Sequence, residues 1–331
     1  MMGLLNKPYH IVQGIFLADA DLAPSLKAIQ AENIRAILHL ETERNYPPSL
    51  KDLPHISLDT QAETLSPEQL HYATRYLHQH LEAGKRVMIC SQRSTGHAAV
   101  IATSYLHEYL GLEFANAYTL VATNAYLVRL PNAWLRDVAQ IYQLSYTRMD
   151  LTNPNFAPFL ISSVADSLSP IYKGVYIGGI RALERATKTQ EQGIRAVLRV
   201  DNAERAALQW NEDYILKDMP LIDGNAIEGH YLASGAAFLQ EQILQGHKTL
   251  VHCQMGVSRS VTMVLAHLIE YEGLSLPQAY WQVVKNRAIA QPHPALFASL
   301  VRHYKLPYTP EQTLSLHFRD HLLLELPYAE A

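Results

Sequence analysis

Short apolar runs along this chain fit strands at residues 14–17, 36–40 and 87–90, and again at 174–177, 196–200 and 250–253. Between them lie stretches with helical spacing. The clearest spans residues 66–83, where Ser66 is placed to cap, Pro67 opens the first turn, Gln69 completes a capping box and Gly84 stands just past the end. Strands alternating with helices predict an α/β fold, a parallel-rich central sheet flanked by helices on both faces. In such sheets ligands sit at the carboxyl edge of a central strand.

The pattern occurs twice. QGIFL at 13–17 and ENIRAIL at 32–38 reappear as KGVYI at 173–177 and QGIRAVL at 192–198, both at an offset of 160. The strand ending in Cys90 matches the strand ending in Cys253 at an offset of 163, and Asn124 matches Asn286 at 162. So small a drift over half a chain marks a duplicated domain. Residues 145–167, with TNPN at 152–155 and AP at 157–158, read as a linker. The expected domains are 1–150 and 168–331.

Composition narrows the function classes. The chain has 331 residues, 48% of them hydrophobic and 18% charged, as two soluble globular domains require. A net charge of −4 argues against nucleic acid or an acidic membrane as partner. No apolar run reaches the roughly 20 residues of a membrane helix, and the first residues lack a secretory leader. The two cysteines, Cys90 and Cys253, both end strand-like runs, so no disulfide framework is expected, and the thiolate chemistry set out below needs no metal or other cofactor. His78 and His80 fit a solvated helix face better than a metal site. A cytoplasmic setting follows from the need for a free thiol.

The chemistry concentrates in TLVHCQMGVSRS, residues 249–260. A five-residue loop between strand and helix, Gln254, Met255, Gly256, Val257 and Ser258, can turn its amides inward to bind a dianion such as phosphate. Arg259 closes the ring with a fork for two oxygens. The same field favours thiolate at Cys253, a nucleophile for phosphate esters. Ser260 is placed to hydrogen-bond the sulfur, with helix capping as its simpler use. His252 reads as a residue supporting the loop. Asp223, thirty residues before Cys253, is the candidate proton donor to the leaving oxygen, with Asp218 as its rival.

At this point the sequence resembles the cysteine-dependent protein tyrosine phosphatase superfamily, in its dual-specificity branch, whose signature HCxxGxxR is matched at residues 252–259. The resemblance implies a phosphoprotein or phosphopeptide substrate and an acid at about the distance of Asp223. It also implies that residues 284–296 pack beside the phosphate loop. There the family's Arg-Pro-x-x-x-Pro-Asn pattern is altered: Ala288 follows Arg287 and His293 replaces Asn, which puts the supporting hydrogen bonds in question.

The first half departs further. Ile89 stands for His, Arg93 for the loop glycine, and Gly96 or His97 for the arginine, although Asp59 keeps an acid-like distance of thirty-one residues from Cys90. The expectation is two tandem phosphatase-like domains, the first degenerate and packed on the catalytic second. The alternative for the first is a different anion site at Arg93 or His97. For the whole chain the alternatives are a rhodanese-type sulfurtransferase, a phosphatase of phosphoinositides or other esters, and a binding protein without turnover. The apolar run at 322–326 fits a domain contact or a homo-oligomer contact equally.

Overall fold

The computed structural model describes residues 8–19, 26–40, 53–58, 64–91, 95–125, 132–145, 156–181, 192–201, 214–315 and 317–326. The chain divides into two compact units, residues 1–161 with 326–331, and residues 162–325.

The first unit contains β1 (Tyr9–Val12), β2 (Ile15–Asp19), α1 (Leu26–Ala31), β3 (Ile34–His39), β4 (His55–Ser57), α2 (Pro67–Glu82) and β5 (Arg86–Ser91). Helices α3 (Thr95–Glu108), α4 (Phe114–Asn124) and α5 (Asn132–Ile141) follow. Its sheet runs β1-β2-β5-β3-β4, antiparallel only at β1–β2. The capping box of α2 forms as its sequence requires. Ser66 Oγ accepts from the Gln69 amide at 3.2 Å, and Gln69 Oε1 accepts from the Ser66 amide at 3.1 Å. Gly84 takes φ +70 just beyond the helix, a left-handed cap that a side chain would strain.

The second unit contains β6 (Ser169–Tyr172), β7 (Val175–Gly178), β8 (Ile194–Arg199), β9 (Ile215–Asp218), α7 (Gly229–Leu244), β10 (Lys248–His252) and α8 (Arg259–Glu272). It ends in α9 (Leu276–Val284), α10 (Pro294–Tyr304), α11 (Pro310–Leu314) and α12 (Phe318–Leu324). Its sheet runs β6-β7-β10-β8-β9, again antiparallel only at its first pair. The central strand β10 is buried from Thr249 to His252, and α8 follows it through the loop 253–258. Residues 259–268 of α8 are all buried, so this helix forms the middle of the unit rather than its surface. Fully buried Val261, Leu265 and Leu268 each contribute about 1.5–3 kcal/mol of apolar burial. The run at 322–326 lies largely in α12, where Leu322 and Leu323 are buried and Phe318 meets Phe297 edge-on at 5.2 Å.

One expectation is corrected. Part of the stretch read as a linker is helical: α6 spans Phe156–Ala165. Pro158 misled the reading. It falls in the first turn, where no amide has an intrahelical partner, so its missing N–H costs nothing there. Leu160 and Val164, four apart, are both buried.

Candidate active site

Strand β10 carries Cys253 to the sheet edge, and the chain then turns through 254–258 into α8. The turn is tight enough to require glycine. Gly256 adopts φ +67, and a Cβ there would lie 2.6 Å from the backbone of Gly178 and 2.7 Å from the Arg287 guanidinium. A second glycine meets the loop from the other side, since a Cβ on Gly179 would lie 2.9 Å from the Met255 backbone. The Ile180 amide donates to the Gln254 carbonyl at 2.9 Å, pinning the loop to the end of β7. The pair Gly178-Gly179 is a site feature that the sequence reading missed. Its signal was present, because adjacent glycines at a strand end mark close backbone approach.

Cys253 is 2% exposed. Its sulfur lies 3.3 Å from Ser260 Oγ, and the Gly256 amide donates to it at 3.3 Å. Burial alone pushes the thiol up. The Ser260 hydroxyl and amide, the Arg259 charge and the Gly256 amide outweigh burial and hold it below the ordinary thiol value. Arg259 is also buried. Its Nη1 donates to the Leu221 carbonyl at 3.0 Å, while Nε is buried with no hydrogen-bond acceptor. A buried guanidinium donor without an acceptor suits an incoming oxyanion.

Asp223 lies at the mouth. Its Oδ1 accepts from Ser258 Oγ at 2.8 Å and from the Gly224 amide at 3.1 Å, and its Oδ2 lies 3.8 Å from Arg259 Nε. Asp218 points elsewhere: on β9 it receives two bonds from Arg199, at 2.6 and 2.7 Å. Asp223, Cys253, Gln254, Met255, Val257, Ser258 and Arg259 line one cleft of about 320 Å³ with residues 291–294. Ser260 lies beneath Cys253, fully buried. His252 is fully buried, with Nδ1 4.0 Å from Asp201 Oδ2. Burial first, and the Arg199 charge second, lower its pKa to about 4, so it is a neutral residue behind the loop rather than a proton carrier.

The altered segment keeps its supports. Arg287, with no exposure, donates from Nε to the Gly256 carbonyl at 2.6 Å and from Nη2 to the Met255 carbonyl at 3.1 Å. The same guanidinium reaches the carbonyls of Val164, Ala165 and Ser167 and the Ser169 hydroxyl at 3.0–3.3 Å. Ala288 is simply buried. His293 caps α10, its Nδ1 accepting from the Ala295 amide at 3.2 Å, as an asparagine side chain would. The Gln291 amide donates to the Val257 carbonyl at 2.8 Å.

In the first unit Cys90 is the penultimate residue of β5 and is buried. His97, 162 residues before Arg259, packs edge-on against Trp134 at 4.2 Å. Asp59 and Arg93 lie outside the described residues. Among the described residues there is no His, Cys, Asp and Glu cluster able to hold a metal ion. Nor is any described helix long and apolar enough to cross a membrane.

The family described as "Dual specificity phosphatase, catalytic domain" matches residues 175–305. The chain is similar to Dual specificity protein phosphatase 1B of Arabidopsis thaliana, 30% identical over 139 residues, covering 42% of this chain and 82% of that protein. It is also similar to Dual specificity protein phosphatase 1 of Arabidopsis thaliana, 30% identical over 133 residues, where the match covers 40% of this chain and 66% of that protein. Among solved structures, human DUSP28 aligns with 42% of this chain and 93% of its own, at 22% identity and a TM-score of 0.39. A buried thiol in an amide-lined loop, in a segment shared across most of a curated relative, identifies the chain as a member of the dual-specificity phosphatases, which are cysteine-dependent protein phosphatases.

Proposed function

We propose that the second unit hydrolyses phosphate monoesters on protein tyrosine, and on serine and threonine, with Cys253 as nucleophile. The observation that carries this is the convergence of Cys253, Arg259 and Asp223 on one cleft. The Cys253 thiolate attacks phosphorus, and the bond from phosphorus to the ester oxygen breaks. Asp223 gives its proton to that oxygen as it leaves. Loop amides and Arg259 stabilise the equatorial oxygens of the transition state. Water then attacks the cysteinyl-phosphate, Asp223 takes the water's proton, the S–P bond breaks and inorganic phosphate leaves. Ser260 supports the returning thiolate. The loop QMGVS carries no lysine to bind further phosphates, which disfavours phosphoinositides.

The test is turnover of phosphotyrosine, phosphoserine and phosphothreonine peptides. C253S should abolish turnover. D223N should slow phosphotyrosine hydrolysis by about 100-fold, the contribution of a positioned acid. Sulfur transfer from thiosulfate to cyanide by the wild type, without phosphate release, would overturn the reading.

The first unit is read as a degenerate phosphatase-like domain. Its sheet has the strand order of the second, and both hairpins turn on a left-handed pair, Gln13-Gly14 and Lys173-Gly174. The catalytic parts are missing at the corresponding positions. Ala18-Asp19 stand for Gly178-Gly179, Ala98 for Ser260 and Ala125 for Arg287. C90S should leave turnover unchanged. Both cysteines are free thiols, which supports placing the chain in the reducing cytoplasm.

A further inference from the structure

Ser258 stands at the N-cap of α8, where a serine ordinarily turns its hydroxyl onto an amide of the first turn. Here no such bond forms. The hydroxyl is committed elsewhere. Its oxygen accepts from the His293 amide at 3.1 Å, and its proton goes to Asp223 Oδ1 at 2.8 Å. Because the amide can only donate, it fixes which way the hydroxyl points.

The donor is itself held in place. His293 begins α10 and closes that helix's first turn through Nδ1. Its ring backs the turn after the acid, with Nε2 only 3.8 Å from where a Cβ on Gly224 would lie. The acid turn is further tied to α10 where the Ile227 amide donates to Ser299 Oγ at 2.9 Å.

We propose that Ser258, aimed by the His293 amide, is a positioning residue for the general acid, and that Asp223 carries its transferable proton on Oδ2. Oδ1 already accepts two bonds, from Ser258 and Gly224, whereas Oδ2 lies toward Arg259, 3.8 Å from its Nε. A proton on Oδ2 leaves both bonds to Oδ1 intact, so Asp223 can lose and regain it without turning. This rests on the phosphatase reading and adds a role that a loop serine read only as a phosphate contact lacks.

The experiment compares S258A, S258T, H293A and H293N with the wild type on 4-nitrophenyl phosphate and phenyl phosphate. The nitrophenolate departs with little help, whereas the phenolate needs the acid. S258A should lower kcat on phenyl phosphate by about 10-fold or more beyond whatever it costs on 4-nitrophenyl phosphate, within the range a positioned acid supplies. S258T should restore the ratio. H293A should reproduce part of the loss, and H293N, which still caps, should not. In a D223N background, S258A should add nothing to the selective loss. Melting temperature and vanadate affinity, measured alongside, separate a loss of folding or of anion binding from a loss of the acid. An equal loss on both substrates, or a full S258A effect on top of D223N, would overturn the positioning role. Wild-type protein inert on both substrates would overturn the phosphatase reading itself.

Discussion

The Cys253 sulfur and the Ser260 hydroxyl oxygen, both on buried residues, lie 3.3 Å apart. That hydroxyl is one of the groups that bring the thiol below its ordinary value despite burial. S260A should therefore raise the pH midpoint of Cys253 alkylation by iodoacetate. Losing a hydrogen bond to a departing thiolate is worth about 1.5–3 kcal/mol, so breakdown of the cysteinyl-phosphate should slow about 10- to 100-fold. Rapid-quench kinetics would show the intermediate accumulating.

Gly256 meets two constraints at once, a positive φ and contact with Gly178 and Arg287. G256A combines left-handed strain with overpacking, at about 3 kcal/mol together. The expected result is a lower melting transition for the second unit and weak vanadate binding. Retention of wild-type vanadate affinity would refute it.

His252 makes the second unit acid-sensitive. Its pKa is about 4 in the folded chain against 6.5 ordinarily. The unfolded chain thus binds more protons between those values. Stability is fully present above pH 6.5 and falls as pH drops towards 4, by about 3 kcal/mol from this group. Hydrogen exchange of the α8 amides should quicken from pH 7 to pH 5, and H252Q should flatten that dependence.

Asp218 and Asp223 separate cleanly. D218N breaks an ion pair whose two side chains are 25% and 43% exposed, worth under about 1 kcal/mol. It should leave the phenyl to nitrophenyl phosphate ratio unchanged. D223N should collapse it.

What the sequence made legible follows from how local each feature is. The capping box at Ser66 and Gln69 is written within four residues and could be read directly. The loop around Cys253 is equally local. The edge strands β1, β4, β6 and β9 were not foreseen, because three or four residues such as His55–Ser57 show no period until a neighbour supplies the ladder. Gly178-Gly179 and Ser258 gain their meaning only from loops distant in sequence. What favours Asp223 over Asp218 as the proposed acid is the Arg199–Asp218 pair, which spacing alone does not reveal.

The reach of Arg287 bears on how much chain a working fragment needs. Family similarity begins at residue 175. Yet four of the guanidinium's six acceptors lie upstream of that point, at Val164, Ala165, Ser167 and Ser169, and only Met255 and Gly256 lie within the matched segment. A polypeptide begun at Ser169 would retain Asp223 and the whole loop from Cys253 to Arg259 and lose three carbonyls that accept hydrogen bonds from the buried arginine behind it. A fragment that keeps the arginine's hydrogen bonds thus has to begin within α6, upstream of the first strand of the second unit.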